Sequence, residues 1–562
     1  MKKILKSILT TMMVFMLSLT SVFAQEESKL VIGVHKDENN ITPYTYVTGA
    51  PGLDLVNLIY DKLFILDENN KVVPWMVEEG FKVSEDYKTY ELKLAKGIKW
   101  HDGKDLTSED VKFSLEYAKE QKNAKARIIE SVEIKDELNF TIKLSEGNMD
   151  FITNGLTNIF IVPKHIHEKY DNAKEVKKTI GSGIYKLKEY KVGQYYKFEA
   201  NDEYFKGSVN PKEIYMPIIT DSTAMFQAIK KGELATTTMG LSPELLDTFK
   251  ADKNIGLLNS PGFSTTLLQF NTEREILDNK EIRKAISNAI NMQEIIDTVM
   301  LGYAQNGNPG FFSKELEYAN KNLAFEYDVN KANEILEKEG YKLNKDNIRE
   351  NEKGEKLSFE LLVYSSSASR IRMAEMIKED LSKIGIEIKI TSLDATTVDE
   401  LVWPGFDVSQ GRDFDMAMWG WSSGTQLSQT NVVGLGHSDT SKGNYNIGGY
   451  NNSEFDKLAD EFTSTLDVTR RKELMEELQA ILGEEVPFIT LLNQDVINVY
   501  NKNFSENWAM QKGFGIMNRF SFLNNDSVIA SSSKENSTIY MRAGIVVVGL
   551  AAFIYFNKKK RA

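Results

Sequence analysis

Hydrophobic and polar residues alternate between residues 81 and 94, which predicts a pair of half-buried strands. The alternation ends at Trp100, and a short polar segment with a glycine follows, as is typical of a tight turn. Thr107 then stands three residues before Asp110, and this spacing predicts a capping box at the start of a helix. The pattern therefore predicts a strand–strand–helix unit within residues 81–118.

The alternation typical of strands and the spacing typical of helices recur along most of the remaining chain. Apolar runs of strand length occur at residues 30–34 and 414–419, and helical spacing covers residues 53–63. Residues 283–302 predict one continuous helix, and residues 359–390 predict a strand, a helix and a strand in succession. Alternating strands and helices are typical of an α/β protein. About 500 residues between the two ends leave room for two or three sub-domains.

The segment Met1–Ala24 has the organisation of a secretory signal peptide, with a basic n-region, an apolar stretch and small residues before Gln25. The chain contains no cysteine. Neither a lipid on an N-terminal cysteine nor a disulfide is therefore available. We expect export and cleavage after Ala24, and a fold whose stability comes from its hydrophobic core.

The C-terminal end has a different composition. Residues 524–538 are rich in asparagine and serine and predict a polar linker. An apolar run from Ala543 to Phe556 follows, and residues 558–562 form a basic tail. Counted from Ser537, and so including Arg542, the run reaches the ~20 residues that cross a bilayer. Because basic residues favour the cytoplasmic side, this end predicts a transmembrane anchor at residues 539–557 and a single-pass protein of the cell membrane with its main domain outside.

The composition excludes several classes of function. The formal net charge is −13, and no basic groove offsets it, so nucleic acid is not an expected partner. No phosphate-binding loop is present, so any ATP hydrolysis belongs to another chain. The five histidines show no metal-ligand spacing. Neither a cofactor nor a metal is expected.

Three motifs carry a resemblance to a known family. Lys99–Val111 reads K-W-H-D-G-K-D-L-T-S-E-D-V, Gly181–Tyr185 reads G-S-G-I-Y, and Phe414–Trp421 reads F-D-M-A-M-W-G-W. They resemble, in order, motifs of the bacterial extracellular solute-binding proteins of family 5, the group of oligopeptide-, dipeptide- and nickel-binding proteins. Asp105 stands where that family usually has proline. The resemblance extends from about residue 30 to about residue 524.

The resemblance implies an α/β fold of the two-lobed periplasmic-binding-protein type (type II), with an extra sub-domain and discontinuous lobes joined by two crossing strands. The solute-binding domain is expected at residues 25–523, before the predicted linker and anchor. The crossing strands are expected near Leu267–Phe270 and Phe488–Asn493. The expected divisions are a first lobe at residues 30–51, 174–265 and 495–523, a sub-domain at residues 52–173, and a second lobe at residues 266–494.

The resemblance also implies a function, that of a receptor of an ABC importer rather than an enzyme. Such a receptor closes two hinged lobes on a solute and presents it to a membrane permease that works with ATPase subunits. An oligopeptide is the expected ligand. An oligosaccharide or another solute is an alternative, and a sensor or chaperone-like protein that hands its ligand to no permease is an alternative role.

A function of another class rests on Gly420–Gly424, which fits G-x-S-x-G, the nucleophile elbow of α/β-hydrolases, with Ser422 as nucleophile. The elbow requires a helix after it, whereas residues 425–431 are polar and β-branched. The only histidine further on is His437, which is too close in sequence to be the distant member of a triad. A secreted serine hydrolase is therefore disfavoured, and no catalytic residue is assigned.

Aromatic residues around the W-G-W strand are the main candidates for ligand contact. Trp421 stands beside glycine and serines and is better placed to line a cleft than Trp419, which ends an apolar strand. Arg370 lies near the start of a predicted helix, where it forms an anion site or remains solvated beside an N-cap. Asn271 belongs to an F-N-T motif that the family shares. The candidate ligand-binding residues are Trp421, Trp419, Arg370, Ser422, Tyr445 and Asn271.

One departure from the family concerns the ligand. In the peptide-binding relatives, the resemblance implies an aspartate a few residues after the W-G-W strand, where it holds the free amine of the peptide. Here Ser422–Thr425 contains no acid, and the next one is Asp439. The amine-binding acid is therefore missing from its expected place, and the identity of the ligand stays open.

Overall fold

The computed structural model describes residues 29–46, 50–442 and 444–523 of the 562-residue chain. The strands within these residues are β1 Lys29–Gly33, β2 Phe64–Leu66, β3 Val72–Pro74, β4 Lys82–Val83, β5 Thr89–Lys93, β6 Ile129–Ile134, β7 Asn139–Leu144, β8 Tyr185–Lys191, β9 Tyr195–Ala200, β10 Glu213–Pro217, β11 Thr236–Thr237, β12 Ile255–Phe270, β13 Ala304–Asn306, β14 Lys342–Leu343, β15 Arg349–Glu350, β16 Ser358–Tyr364, β17 Glu387–Leu393, β18 Met416–Trp421 and β19 Phe488–Asn501.

The helices follow in the same order. The α-helices are α1 Ala50–Ile59, α2 Ser108–Glu120, α3 Lys164–His167, α4 Ser222–Lys231, α5 Leu246–Lys250, α6 Lys280–Ala289, α7 Met292–Val299, α8 Val329–Lys338, α9 Ala368–Ser382, α10 Ala395–Val402, α11 Ser423–Gln426, α12 Thr430–Gly436, α13 Ser453–Ser464 and α14 Val468–Glu485. Single turns of 3₁₀ helix occur at Ala124–Ala126, Ala173–Glu175, Pro243–Leu245, Pro404–Phe406, Val408–Gln410, Thr440–Lys442 and Arg519–Ser521, and a π-helical turn at Phe151–Leu156.

A five-stranded sheet contains the first strand of the described residues, in the order β11-β1-β10-β9-β8. β1 pairs in parallel with β10 and β11, so that Lys29 lies opposite Glu213 and Ile32 lies opposite Thr236. Parallel neighbours require a long connection. Here the chain leaves after β1, builds a separate four-stranded sheet, and returns to this sheet at β8.

The four-stranded sheet, in the order β4-β5-β7-β6, contains as β4 and β5 the two strands of the alternating segment 81–94. Helix α2 packs on it with Val111 and Leu115 fully buried. The predicted capping box is confirmed: the Thr107 hydroxyl accepts the Glu109 N–H at 3.3 Å, and the Asp110 carboxylate accepts the Thr107 N–H at 3.1 Å. Satisfying these terminal N–H groups determines where the helix begins.

Two long strands, β12 and β19, run antiparallel to each other through a six-stranded sheet of order β13-β19-β12-β18-β16-β17. Their pairing extends from Ile255 opposite Asn501 to Gln269 opposite Phe488, with an irregularity between Ser260 and Ser264. One end of the pair packs beside the five-stranded sheet, where Asn501 N–H donates to a carbonyl at 2.8 Å. The predicted α/β fold with two crossing strands is therefore observed.

The six-stranded sheet is buried on both faces. Along β18, Met416 and Met418 belong to a hydrophobic cluster on one face, and Ala417 and Trp419 belong to a cluster on the other. Successive side chains of a strand point to opposite faces. A near-continuous apolar run is therefore what a strand between two cores requires.

The predicted helix over residues 283–302 is instead two helices, α6 and α7. Asn291 interrupts them: its side chain accepts the Glu294 N–H at 3.2 Å and caps α7. Its own N–H donates to the Asp380 carboxylate at 2.9 Å. The apolar period continues across this break, so periodicity alone did not reveal it, although asparagine is a strong N-cap residue.

The expected fold class included a transmembrane helix at residues 539–557, and this part of the prediction is corrected. Across the described ranges, no helix combines the length and the apolar character needed to cross a membrane. The longest of them, α14, carries charged residues on its exposed side. The signal peptide (1–24), linker (524–538), anchor and basic tail (558–562) lie outside the described residues. The single-pass membrane localisation is therefore not supported either.

Candidate functional site

A cavity of ≈ 490 Å³ lies between parts of the chain that are distant in sequence. One wall comes from segments 53–66, 153–158 and 511–520, and the other comes from residues 403–431 together with Tyr445. Sites for small ligands in proteins have volumes of about 300–1,000 Å³. The cavity is therefore large enough for a ligand of that class.

Aromatic side chains form the second wall. Trp421 is the last residue of β18 and lies opposite Thr265 of β12, which places it where the sheet meets the cavity. The centroid of its ring lies 5.2 Å from that of Tyr445 and 5.9 Å from that of Trp403. Trp421 is only partly buried. Its neighbours hold the indole in place and leave part of it available for stacking on a ligand.

The first wall is also apolar over much of its area. Leu53, Ile65 and Met517 line it, and Phe514 projects there with 36% of its surface exposed. An exposed large apolar side chain beside a cavity is typical of a ligand contact rather than of a core. The cavity therefore presents apolar surface from both sides.

The charged groups on the first wall include Asp54, Lys62 and Arg519. Burial raises the pKa of the Asp54 carboxyl well above its usual range. Burial, assisted by the Arg519 guanidinium, lowers the pKa of Lys62 to about 7. Arg519 itself forms a buried ion pair with Asp61. Perturbed pKa values of this kind cluster at functional sites because the charged forms lack solvation there.

A second cavity of ≈ 400 Å³ shares Trp421 and Ser422 with the first. Arg370, in the first turn of α9, lines it, and its guanidinium carbon lies 5.0 Å from the centroid of the Tyr364 ring. A Cβ atom at Gly420 would lie 2.5 Å from Arg370 Nη2, so glycine is needed for the guanidinium to lie there. Among the described residues, no acid forms an ion pair with Arg370. It is therefore suited to a carboxylate of the ligand.

Four of the six candidate residues from the sequence lie at these cavities. Trp421 and Ser422 line both, Tyr445 lines the first, and Arg370 lines the second. Tyr445 is held by a hydrogen bond of 2.6 Å from its hydroxyl to the Asn431 side chain. Their role as ligand contacts remains a prediction.

The other two candidates lie in the protein interior. Trp419 is 6% exposed and belongs to the hydrophobic core beneath the second wall. Asn271 is 2% exposed and donates its Nδ2 to the Phe414 carbonyl oxygen at 2.9 Å. Neither lines either cavity, and ligand contact by these two residues stays an untested prediction. Trp419 packs within the hydrophobic cluster on one face of β18, and Asn271, the residue after β12, is fixed by its hydrogen bond to Phe414.

Ser422 and His437, the residues of the hydrolase alternative, make no hydrogen bond to each other. The Ser422 hydroxyl lies 3.5 Å from the Thr425 hydroxyl. His437 is buried, accepts the Asp439 N–H on Nδ1 at 2.9 Å and lies 3.6 Å from Asp456. Its contacts therefore serve local structure. Within the described residues, no group of three or more His, Cys, Asp or Glu side chains could hold a metal ion.

Asp54, Lys62 and Phe514 line the cavity but were not among the residues predicted from the sequence. Asp54 and Lys62 lie within the apolar periodic run of residues 53–63. A charged residue in such a run is unusual, and this signal was available. Phe514 lies in a glycine-containing segment without periodicity, so that only tertiary structure brings it to the cavity.

Polar contacts join the two sides of the cavity. One is an ion pair between a buried arginine and a half-buried aspartate, and the others are a hydrogen bond of 3.2 Å and an ion pair of 2.8 Å. The pairs are Asp150 with Arg471, Asn154 with Thr430, and Glu315 with Lys512. These contacts hold the walls at their present separation.

Known proteins of similar sequence and structure support a binding function. The chain is 28% identical over 488 residues to the oligopeptide-binding protein AppA of Bacillus subtilis, covering 83% of this chain and 86% of AppA. The structure of that protein with a nonapeptide has a TM-score of 0.70 at 27% identity and covers 88% of this chain and 98% of AppA. NikZ of Campylobacter jejuni with Ni(L-His) has a TM-score of 0.73 at 26% identity, covering 89% of this chain and all of NikZ.

These solved structures confirm the two-lobed fold. The family resemblance from the W-H-D-G and W-G-W motifs is confirmed as well, because a family profile matches residues 71–443, which is more than half of the chain. The chain belongs to the bacterial extracellular solute-binding proteins of family 5.

Proposed function

We propose that this protein is the receptor of an ABC importer and binds oligopeptides in the cavity between its two lobes. The observation that carries the proposal is the cavity, which is lined from both sides and has an aromatic wall around Trp421. The similarity of the chain to an oligopeptide-binding protein with a bound nonapeptide supports this choice of ligand. Flexible peptides bind well to such surfaces because aromatic rings supply large contact area at little entropic cost.

We propose the lobe boundaries that the sequence suggested. The first lobe comprises residues 30–51, 174–265 and 495–523, with residues 52–173 as a sub-domain, and the second lobe comprises residues 266–494. The break in pairing between Ser260 and Ser264 lies close to the proposed boundary. A Cβ atom at Gly262 would lie 1.8 Å from the Gln494 carbonyl oxygen, so the two crossing chains touch there. Such a position is suited to a hinge.

Hinge closure then couples binding to transport. Ligand contacts both walls only when the lobes are close, so the ligand shifts the population toward the closed form. The closed form presents a composite surface of both lobes to a permease, whose ATPase subunits supply the energy that this chain does not. The protein acts in this scheme as a receptor and catalyses no reaction.

The test begins with the full-length protein purified under non-denaturing conditions. Its bound ligands are released and identified by mass spectrometry, and their affinity is measured by calorimetry. We expect peptides, together with a smaller radius of gyration in small-angle scattering when peptide is added. Recovery of oligosaccharides, or a nickel chelate, with no binding of peptides would refute the peptide assignment. An unchanged radius at saturating ligand would refute the hinge.

A further inference from the structure

One acid at the cavity stands apart from the other buried acids. Asp54 lies on α1 and lines the cavity from the wall opposite Trp421. Within the described part of the chain, its carboxylate makes no hydrogen bond or ion pair. Asp61, by contrast, pairs with Arg519 and accepts the Trp75 indole N–H at 3.1 Å. A partly buried carboxylate without a partner is unfavourable for folding and needs a reason to be there.

The three cations that line the cavity, Lys62, Lys125 and Arg519, form no ion pair with Asp54. Burial is the sole cause that raises the pKa of Asp54, with no neighbouring positive charge to lower it. The Lys62 Nζ lies 4.3 Å from the centroid of the Phe160 ring, and the acid that acts on it is Asp61. Arg519 is occupied by the same Asp61. A cation that arrives with the ligand is therefore free to pair with Asp54.

The segment after the aromatic strand contains no acid that could compete for that cation. Ser422 and Gly424 line the cavity there, and neither carries a charge. Among the cavity-lining residues, Asp54 is the one acid. At the other end, Arg370 in the adjoining cavity lacks a paired acid among the described residues. Asp54 and Arg370 thus offer groups of opposite charge, neither in an ion pair among the described residues, in two adjoining cavities.

We propose that Asp54 binds the protonated α-amino group of the peptide ligand, on the wall opposite the aromatic strand. The inference rests on the proposed function and specifies it: the ligand is a peptide with a free amino terminus. Pairing in a partly desolvated site is strong because water screens it little, and it favours the charged forms of both groups. The α-amine rather than a lysine side chain is assigned because every unmodified peptide carries one.

The experiment separates the ligand's amine from the rest of the peptide. A pool of lysine-free synthetic pentapeptides of randomised sequence is incubated with the full-length protein. The peptide retained best is identified by mass spectrometry and resynthesised with a free and with an acetylated amino terminus. Calorimetry then gives the affinity of both forms for the wild type, for Asp54→Asn and for Glu68→Gln. Glu68 is an exposed acid that follows the wall segment 53–66 by two residues and does not line the cavity, so it serves as the control for long-range charge.

We expect acetylation to weaken binding to the wild type at least 30-fold. Asp54→Asn should weaken binding of the free-amine peptide by a similar factor and change binding of the acetylated peptide less than threefold. Glu68→Gln should change neither. Because Asp54→Asn removes an unpaired buried charge, its melting temperature should not fall, and the comparison of the two peptides on the wild type needs no variant.

Several results would overturn the inference. Equal affinity of the two peptides for the wild type would show that the amine is not recognised. A loss in Asp54→Asn that is the same for both peptides, or is matched by Glu68→Gln, would show that Asp54 acts without contacting the amine. Retention of no peptide from the pool would instead refute the proposed function, and this outcome is distinct from the others.

Discussion

Replacing Trp421 by alanine should reduce ligand affinity far more than it reduces stability. Trp421 lies at the end of β18, lines both cavities and is partly exposed. Trp403 and Tyr445 cover part of its ring, with centroids 5.9 Å and 5.2 Å away. The uncovered face is the surface on which the ligand is proposed to stack.

The magnitude follows from the area that remains to be covered. A tryptophan buries about 150–250 Å² when fully enclosed, and its neighbours already take the larger share. A ligand that covers the remaining roughly 80 Å² gains about 2 kcal/mol at ~25 cal/mol per Å². This corresponds to about a 30-fold change in affinity, as expected for an aromatic hot spot.

Calorimetry with a retained peptide measures the affinity, and thermal unfolding of the ligand-free protein measures stability. Trp419→Ala is the matched control because Trp419 lies two residues earlier in the same strand and is buried in the core. Trp419→Ala should lower the free energy of unfolding by about 3–5 kcal/mol. Wild-type affinity in Trp421→Ala would show that the ligand binds elsewhere, and equal losses in both variants would show only an indirect effect of packing.

Three further predictions concern other parts of the molecule. Gly424→Asp has space, since its Cβ would lie 3.8 Å from the nearest side-chain atom. It should keep or raise the affinity for a free-amine peptide and lower the affinity for an oligosaccharide. The reverse result in calorimetry would contradict a peptide ligand. Asp150→Asn removes the ion pair with Arg471, so the radius of gyration in small-angle scattering should rise and ligand affinity should fall about tenfold. An unchanged radius and an unchanged affinity would contradict a role of this ion pair in closure. Burial lowers the pKa of His167 to about 4 from its usual 6.5. Between these pH values the unfolded state binds more protons than the folded state, so the melting temperature should fall as the pH drops from 6.5 to 4. His167→Gln should flatten that fall, and an unchanged pH profile in the variant would show that His167 does not cause it.

Features that depend on neighbours in sequence were predicted correctly. The capping box at Thr107 and Asp110 is one, because each partner lies within one helical turn of the other. The apolar strand at Met416–Trp421 is another, because its residues contact cores on both faces and its first four positions are buried. The break before Asn291 was not predicted, because the contact that supports it comes from Asp380 on a distant helix.

The sequence by itself thus determined the local elements, the family motifs and one side of the candidate site. Trp421, Ser422 and Tyr445 were predicted as ligand contacts because aromatic and small polar residues follow a recognisable strand, and they line the candidate cavity. Only the tertiary structure decided the opposite side, where the unpaired Asp54 lies across the cavity from Trp421. It also decided that Trp419 faces the core. The physical reason is that a cavity forms from segments brought together by long-range strand pairing, and local periodicity does not record which distant surfaces meet.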